Sequence, residues 1–317
     1  MSKSTIVQAP RASAILYNLL VSRPHQRTWL MPANICPIVP ITFLKANVPF
    51  EFVDISPADL RMDLEQVEAQ AGKRKIGGLL YAHPYGEVYT PNDFFFSLKD
   101  LNPNILIVDD RCLCIPETVP DESTAADVVL FSTGYAKITE LNFGGYAFLK
   151  DGVPYKSVHL PFNPAHHDTL ERAYKQAVNN RDKFHYADSD WLETDADMLD
   201  WETYHAQIEG KLQATLLHRT ALNEIYKTTL PKELQLPEAY QTWRLNIRVK
   251  NKEEILRAIF AEGLFASSHY ASLVGIMADG RAPHAEVLAD EIINLFNDEH
   301  FDAAKAQQTC DIILRNL

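Results

Sequence analysis

The chain's most chemically suggestive residue is Lys137, in Phe131-Ser132-Thr133-Gly134-Tyr135-Ala136-Lys137, directly after an apolar run that reads as a strand. Upstream, a second apolar run, Asn104-Ile105-Leu106-Ile107-Val108, ends in Asp109-Asp110. A lysine at one strand end and a carboxylate at another suit pyridoxal phosphate. Its aldehyde needs an amine to hold it as a Schiff base, and its pyridine nitrogen needs an anion to stay protonated so that the ring can accept electrons. Asp110 follows a strand that reads as fully buried, where a carboxylate without a partner is costly. A pyridinium would serve as that partner. Arg111 would also serve, or either aspartate could cap the following turn. Lysines are mostly solvated, but Ser132, Thr133 and Gly134 place hydroxyl and backbone donors just ahead of Lys137, as a phosphate held close to the amine would require.

Other positions are less specific. Pro10-Arg11-Ala12-Ser13 precedes the helical run Ile15, Leu16, Leu19, Leu20. Ser13 therefore lies near a helix start, where free amides and the helix dipole favour a phosphate by about 0.3–2 kcal/mol, or where the serine is simply a cap. His83 follows a strand and precedes Pro84-Tyr85-Gly86, a setting in which a histidine is more often structural than catalytic. His269-Tyr270 ends another strand and could face a cleft between domains. Arg244 and Arg248 share one face of an alternating strand, open to a carboxylate or to water.

The elements that must position these residues follow from hydrophobic periodicity. Strands are expected over Phe50–Asp54, Ile76–Ala82, Asn104–Val108, Asp127–Phe131 and Gly145–Leu149, alternating with helical or turn-rich stretches as in a doubly wound, mostly parallel sheet. Functional groups then collect at strand ends, where open α/β sheets bind ligands. A helix is expected over Thr169–Lys183 and a long amphipathic one over Trp201–Leu230, ended by Pro231. Beyond Pro237 come an alternating strand, Thr242–Val249, a helix, Lys252–Glu262, closed by Gly263, and a strand to His269. Two helices, Pro283–Phe296 and Asp302–Leu317, finish the chain. The division expected is a large domain over 1–200, then a bridging helix and small α/β domain over 201–317.

At 317 residues and 46% hydrophobic content the chain can bury a substantial core. A net charge of −12 argues against a nucleic-acid partner, which usually meets a basic surface. No run approaches the roughly 18 apolar residues of a membrane span, and the first ten residues lack a secretory core, so a soluble cytoplasmic protein is expected. Cys36, Cys112, Cys114 and Cys310 lack paired zinc-type spacing and are expected to be reduced and structural, with no metal site.

Taken together, these residues resemble the DegT/DnrJ/StrS family of sugar aminotransferases over nearly the whole chain. Met31-Pro32-Ala33-Asn34-Ile35-Cys36-Pro37 through Val53-Asp54-Ile55 is similar to the family's "P-A-x-T … P-x-F-V-D", and Ala82-His83-Pro84-Tyr85-Gly86 to its "V-H-L-Y-G". Val108-Asp109-Asp110-Arg111-Cys112 resembles "E-D-x-A". Phe131 to Lys137 resembles "F-S-x-x-x-x-K", followed by Gly144-Gly145, and Ala285-Glu286-Val287-Leu288-Ala289 through Leu295 resembles "A-E-x-L … L". The resemblance implies the aspartate aminotransferase fold (fold type I), with pyridoxal 5'-phosphate as cofactor. It implies that Lys137 binds the cofactor and moves the proton, that Asp110 faces the pyridine nitrogen, and that Ser132 with Ala12-Ser13 holds the phosphate. Cys36 and His83 would also lie against the cofactor, and His269 and Tyr270 near the substrate. It further implies transfer of an amino group, usually from glutamate, to a nucleotide-linked keto sugar, by a homodimer.

The pattern departs from the family's in several places. Ala12-Ser13 replaces Gly-Thr, Leu113 replaces a glutamine, Asn142-Phe143 replaces Gly-Glu, and Cys36 falls where an aromatic residue often stacks on the cofactor. The family's "N-Y-R" loop is not recognisable between Asn163 and Trp191, and the N-terminal arm is short. A cofactor-binding protein that has lost turnover is therefore the competing expectation. Related dehydratases replace the lysine, so Lys137 favours transamination. A nicotinamide-binding fold is a poor match, because no strand is followed by G-x-G-x-x-G.

Overall fold

The computed structural model of the protein describes residues 4–23 and 27–317. Among these, seven strands form one sheet: β1 (Thr5–Ala9), β2 (Trp29–Pro32), β3 (Phe50–Val53), β4 (Gly78–Ala82), β5 (Leu106–Asp110), β6 (Val128–Ser132) and β7 (Gly145–Leu149), in the order β1-β7-β6-β5-β4-β2-β3. Strands β3, β2, β4, β5 and β6 run parallel, and the edge is extended by β7, antiparallel to β6, and by β1, antiparallel to β7.

Period-two alternation explains why these short runs are apolar throughout. Leu80, Val108, Leu130 and Ala147 face a core shared with α1 (Ala12–Val21) and α2 (Ile38–Lys45). Their neighbours Leu79, Tyr81, Ile107, Val129, Phe131 and Tyr146 face a second core on the other side of the sheet. That core is completed by α3 (Leu64–Lys73), α4 (Asn92–Leu101) and the start of α6 (Trp201–Thr229). Both faces are covered, as a parallel sheet requires. Helix α5 (Pro164–Asn180) begins five residues before its expected start. The Asn163 side chain caps it by accepting the Ala165 N–H (3.0 Å), and Pro164 fits the first turn, where an amide is not needed.

The long helix α6 leads to a three-stranded antiparallel sheet of β8 (Leu245–Arg248), β9 (Ala266–Ser267) and β10 (Ile292–Leu295), with α7 (Lys252–Ala261), α8 (Pro283–Glu291) and α9 (Ala303–Arg315). The single helix expected over Pro283–Phe296 is corrected here. It stops at Glu291, and the chain continues as β10, the central and fully buried strand of the small sheet. The β-branched pair Ile292-Ile293 suits that position, and pairing on both sides outweighs helical continuation. No helix among the described residues is long and apolar enough to cross a membrane.

Two contacts fix how parts of the fold meet. At the end of β3, buried Asp54 accepts the amides of Ala285 (2.9 Å) and Ile55 (2.8 Å) with Oδ1 and that of His284 (3.0 Å) with Oδ2, so a carboxylate of the large sheet caps α8 of the small one. At the start of β7, Gly145 lies so close to α1 that a Cβ would collide with the backbone of Ala12. Gly145→Ala should therefore destabilise the protein by about 1–3 kcal/mol through overpacking. A denaturant midpoint equal to that of the parent would show that α1 does not sit this tightly against β7.

Candidate active site

Alternation along β5 sends its two terminal carboxylates to opposite faces. Asp109 turns toward Tyr81 and His83, and Asp110 toward a cavity at the carboxyl ends of β2, β4 and β5. The cavity holds about 560 Å³ including its open mouth, and its walls include Cys36, His83, Asp110, Cys112, Lys137 and Tyr270. The two sequence alternatives for this aspartate pair divide between its members. Asp109 pairs with Arg111 (Nε–Oδ2, 2.9 Å), while Asp110 accepts the Cys112 amide (3.0 Å) in the following turn and still faces the cavity.

Asp109 is fully enclosed. His83 Nε2 lies 2.6 Å from its Oδ1, the Thr90 hydroxyl donates to its Oδ2 (3.3 Å), and Arg111 continues to Glu117 (2.6 Å). Burial works to raise the Asp109 carboxyl, but His83 and Arg111 outweigh it and hold the group below its ordinary value. With Asp109 an anion, His83 Nε2 is the donor, and the other ring nitrogen, Nδ1, is buried without a partner.

Lys137 reaches this cavity because the backbone around it is held from both sides. On the sheet side, Thr133 Oγ1 donates to the Phe143 carbonyl (2.6 Å) and lies 2.5 Å from the Tyr204 hydroxyl, and the Ala136 amide donates to Glu140 (2.8 Å). On the small-sheet side, Trp243 Nε1 donates to the Ala136 carbonyl (2.7 Å) and Arg219 donates to the Lys137 carbonyl (3.0 Å). Among the described residues, the Lys137 ammonium forms no hydrogen bond or ion pair. Sequence reasoning missed Trp243 and Arg219, which lie far along the chain. The only local sign was an aromatic residue, Trp243, within the expected strand Thr242–Val249.

The structure brings Cys36, His83, Asp110, Lys137 and Tyr270 into one cavity wall. Cys36 and Cys112 line this cavity with thiols kept neutral. Burial raises both, with Asp110 adding to the effect at each. All four cysteines are free. His269 is exposed beside Tyr270, their rings 5.0 Å apart, and is not part of the wall.

Ser132, Ala12 and Ser13 are not in the wall either, but they adjoin one another. Ser132 pairs with Gly145 across β6 and β7, and Gly145 abuts Ala12. The cap position of α1 is Arg11 rather than Ser13, no side chain caps the helix, and its first turn holds no acid, so its first amides are free of side-chain partners. Thr133, expected as a phosphate donor, is fully buried and already committed to Phe143 and Tyr204.

A second, wider depression of about 1070 Å³ borders the Lys137 segment on its far side. Its polar groups are spent on one another: Lys211 bonds Glu299 (2.8 Å) and the Glu140 carbonyl (2.7 Å), and His218 bonds the carbonyls of Asp298 and Phe301 (both 3.0 Å). The candidate site is therefore the first cavity, where Lys137 is joined by Asp110.

No family model and no curated protein matches the sequence. Solved structures do match the fold. DesI in the presence of its TDP-sugar product is 15% identical over 98% of this chain and 80% of that one, with a TM-score of 0.73. PseC of Helicobacter pylori, an aminotransferase involved in the biosynthesis of pseudoaminic acid, is 12% identical over 99% and 86%, with a TM-score of 0.69. A DegT DnrJ EryC1 StrS aminotransferase from Brucella abortus is 17% identical over 98% and 85%, with a TM-score of 0.66. Identities this low establish shared architecture: the chain has the α/β fold of these aminotransferases, with the mostly parallel mixed sheet expected from its sequence.

The Asp109 network gives a pH-dependent test. A carboxyl with a lowered folded value adds stability that is complete above its ordinary value of 3.8 and is lost as pH falls through the folded value. Asp109→Asn should cost about 3–5 kcal/mol at neutral pH by leaving His83 and Arg111 without their anion. It should also flatten the acid limb of stability below about pH 4. An acid limb identical to the parent's in urea melts would rule out the pairing.

Proposed function

We propose that the protein is a pyridoxal-phosphate-dependent aminotransferase that moves an amino group from glutamate to the keto group of a nucleotide-linked sugar, and that it works as a cytoplasmic homodimer. The observation that carries this reading is the meeting of an unpaired Lys137 and a buried Asp110 in one cavity. The residues present fit the cofactor. Lys137 is an amine free to bind an aldehyde, Asp110 is a carboxylate free to meet a pyridinium, and the unpartnered Nδ1 of His83 awaits a polar group. Ser132 and the uncapped amides of α1 offer a place for a phosphate. When bound, the cofactor supplies an electron-accepting ring that acidifies the carbon bearing the amino group.

The chain's own residues would supply the rest. Asp110 would keep a proton on the ring nitrogen, and Asp109, through its bond to His83, would hold that imidazole in place. Lys137 Nζ would hold and move the proton taken from the donor carbon that bears the amino group, a transfer commonly worth about 10²–10⁴-fold. The fixed carbonyls on either side of Lys137 limit the space that amine can sweep. The sugar substrate is supported by the fold shared with sugar aminotransferases. The dimer is supported by exposed Val88, Tyr89 and Tyr135 on loops flanking the cavity residues.

A cofactor-binding protein without turnover is the second reading, favoured by a cavity wall in which Cys36, Cys112 and Leu113 offer no ring-stacking or amide side chain. Visible absorbance of protein purified with pyridoxal phosphate separates the two. The expected result is a band that Lys137→Ala abolishes and that glutamate bleaches. A lysine-dependent band indifferent to every amino donor would establish the second reading, and the absence of any band would defeat both.

A further inference from the structure

Two residues at the first cavity have left-handed backbones without being glycine. Tyr85, in its wall, has φ +56°, and Ala136, directly before Lys137, has φ +58°. An L side chain is crowded in that region, so each conformation persists only where its surroundings hold it. Trp243 holds both. It is 2% exposed and lies just ahead of β8. Its backbone N–H donates to the Tyr85 carbonyl (3.3 Å), and its indole Nε1–H donates to the Ala136 carbonyl (2.7 Å).

The rest of Trp243 is fixed in its turn. Its carbonyl accepts from Arg219 Nη1 (2.5 Å), whose Nη2 donates to the Lys137 carbonyl (3.0 Å). Its ring stacks on Tyr270, with centroids 6.4 Å apart and planes 10° from parallel, and Tyr270 lines the cavity. A Cβ on Gly86 would meet the Leu113 carbonyl at 2.5 Å and Trp243 Cβ at 3.4 Å, so the turn after His83 is seated directly against Trp243. Trp243 itself lines neither cavity, yet it bonds the turn that follows His83 and the peptide that leads into Lys137. Without the indole donor, Ala136 would relax toward the ordinary regions of φ, and rotation one residue ahead of the lysine swings its whole side chain.

We propose that Trp243 is a positioning residue for the chemistry of Lys137. Its indole N–H keeps Ala136 left-handed, its backbone N–H keeps Tyr85 so, and together they set the amine against the wall that carries His83. The reaction this serves rests on the aminotransferase reading, whereas the hold on the lysine does not.

The test compares the parent with Trp243→Phe, which keeps the backbone bond to Tyr85 and a ring for Tyr270 but lacks the indole donor, with Ala136→Gly, and with the double variant. The first readout is condensation of the Lys137 amine with the aldehyde of pyridoxal phosphate, which releases water, trapped by borohydride and located by mass spectrometry. Trp243→Phe should slow it by about 10- to 100-fold, the scale of a misplacement of about 1 Å. It should lower kcat for amino transfer to a similar extent with KM changed by less than about 3-fold, a split that a general loss of stability does not give. Trp191→Phe removes another buried indole donor, the one to Tyr186, and should leave the trapping rate as it is. Ala136→Gly relieves the crowding and should raise the urea midpoint of the parent. It should raise it less in the Trp243→Phe background, where residue 136 is no longer held. Trapping in Trp243→Phe as fast as in the parent, equal slowing by Trp191→Phe, an equal Ala136→Gly gain in both backgrounds, or a parent Lys137 that cannot be trapped would each overturn the proposal. If Trp243→Phe does not fold, Ala136→Gly decides, and a midpoint no higher than the parent's would overturn it. Trp243-dependent trapping in a protein that accepts no amino donor would sink the aminotransferase reading alone. Undiminished kcat in Trp243→Phe would sink the positioning role alone.

Discussion

The site depends on the backbone at Ala136 and Lys137 being gripped by the small-sheet half of the molecule. A lysine side chain has four rotatable carbons, and its ammonium has a defined place only if its own peptide does. Trp243 and Arg219 take the two successive carbonyls, while Thr133 and Glu140 secure the same segment from the sheet side. Arg219 is itself almost wholly buried. Burial lowers its guanidinium to about 10, which leaves it charged at neutral pH. A fixed positive charge therefore lies behind the lysine, in a setting where water screens it poorly.

The adjacent aspartates at the end of β5 show how two like residues acquire different work from strand geometry alone. One faces the side of the sheet covered by α3 and α4 and is surrounded by donors from His83, Thr90 and Arg111. The other, one residue on, faces the cavity and retains capacity to accept beyond a single amide. The first stiffens the floor on which the second stands. Because His83 belongs to both the network and the cavity wall, the enclosed carboxylate and the open one are linked through a single imidazole.

Much of this was readable from the residues. The five expected strands of the large sheet are all present, since buried parallel strands leave uninterrupted apolar runs, and Asp110, Lys137, Cys36, His83 and Tyr270 do share one cavity. What was not readable depends on partners distant in sequence. Strand β1 is a mixed five-residue stretch whose pairing is decided by β7, about as far away as the sheet allows. Strand β10 follows α8 without a glycine or proline to mark the change, and only its place between β8 and β9 makes it a strand. Trp243 and Arg219 carried no local signature of their hold on Lys137. Which of Asp109 and Asp110 pairs with Arg111 was left open by the sequence, because alternation fixes that they differ in side and only the fold fixes which side is which.

Asp54 has a mechanical consequence. It accepts three amides, two of them from the first turn of α8, and so ties the large sheet to the small one through a charge set against a helix end. Sliding the halves past each other would strip an enclosed carboxylate of its donors. The carboxylate thus sets the register of the two halves at a point separate from the bonds that Trp243 and Arg219 make to the Lys137 segment.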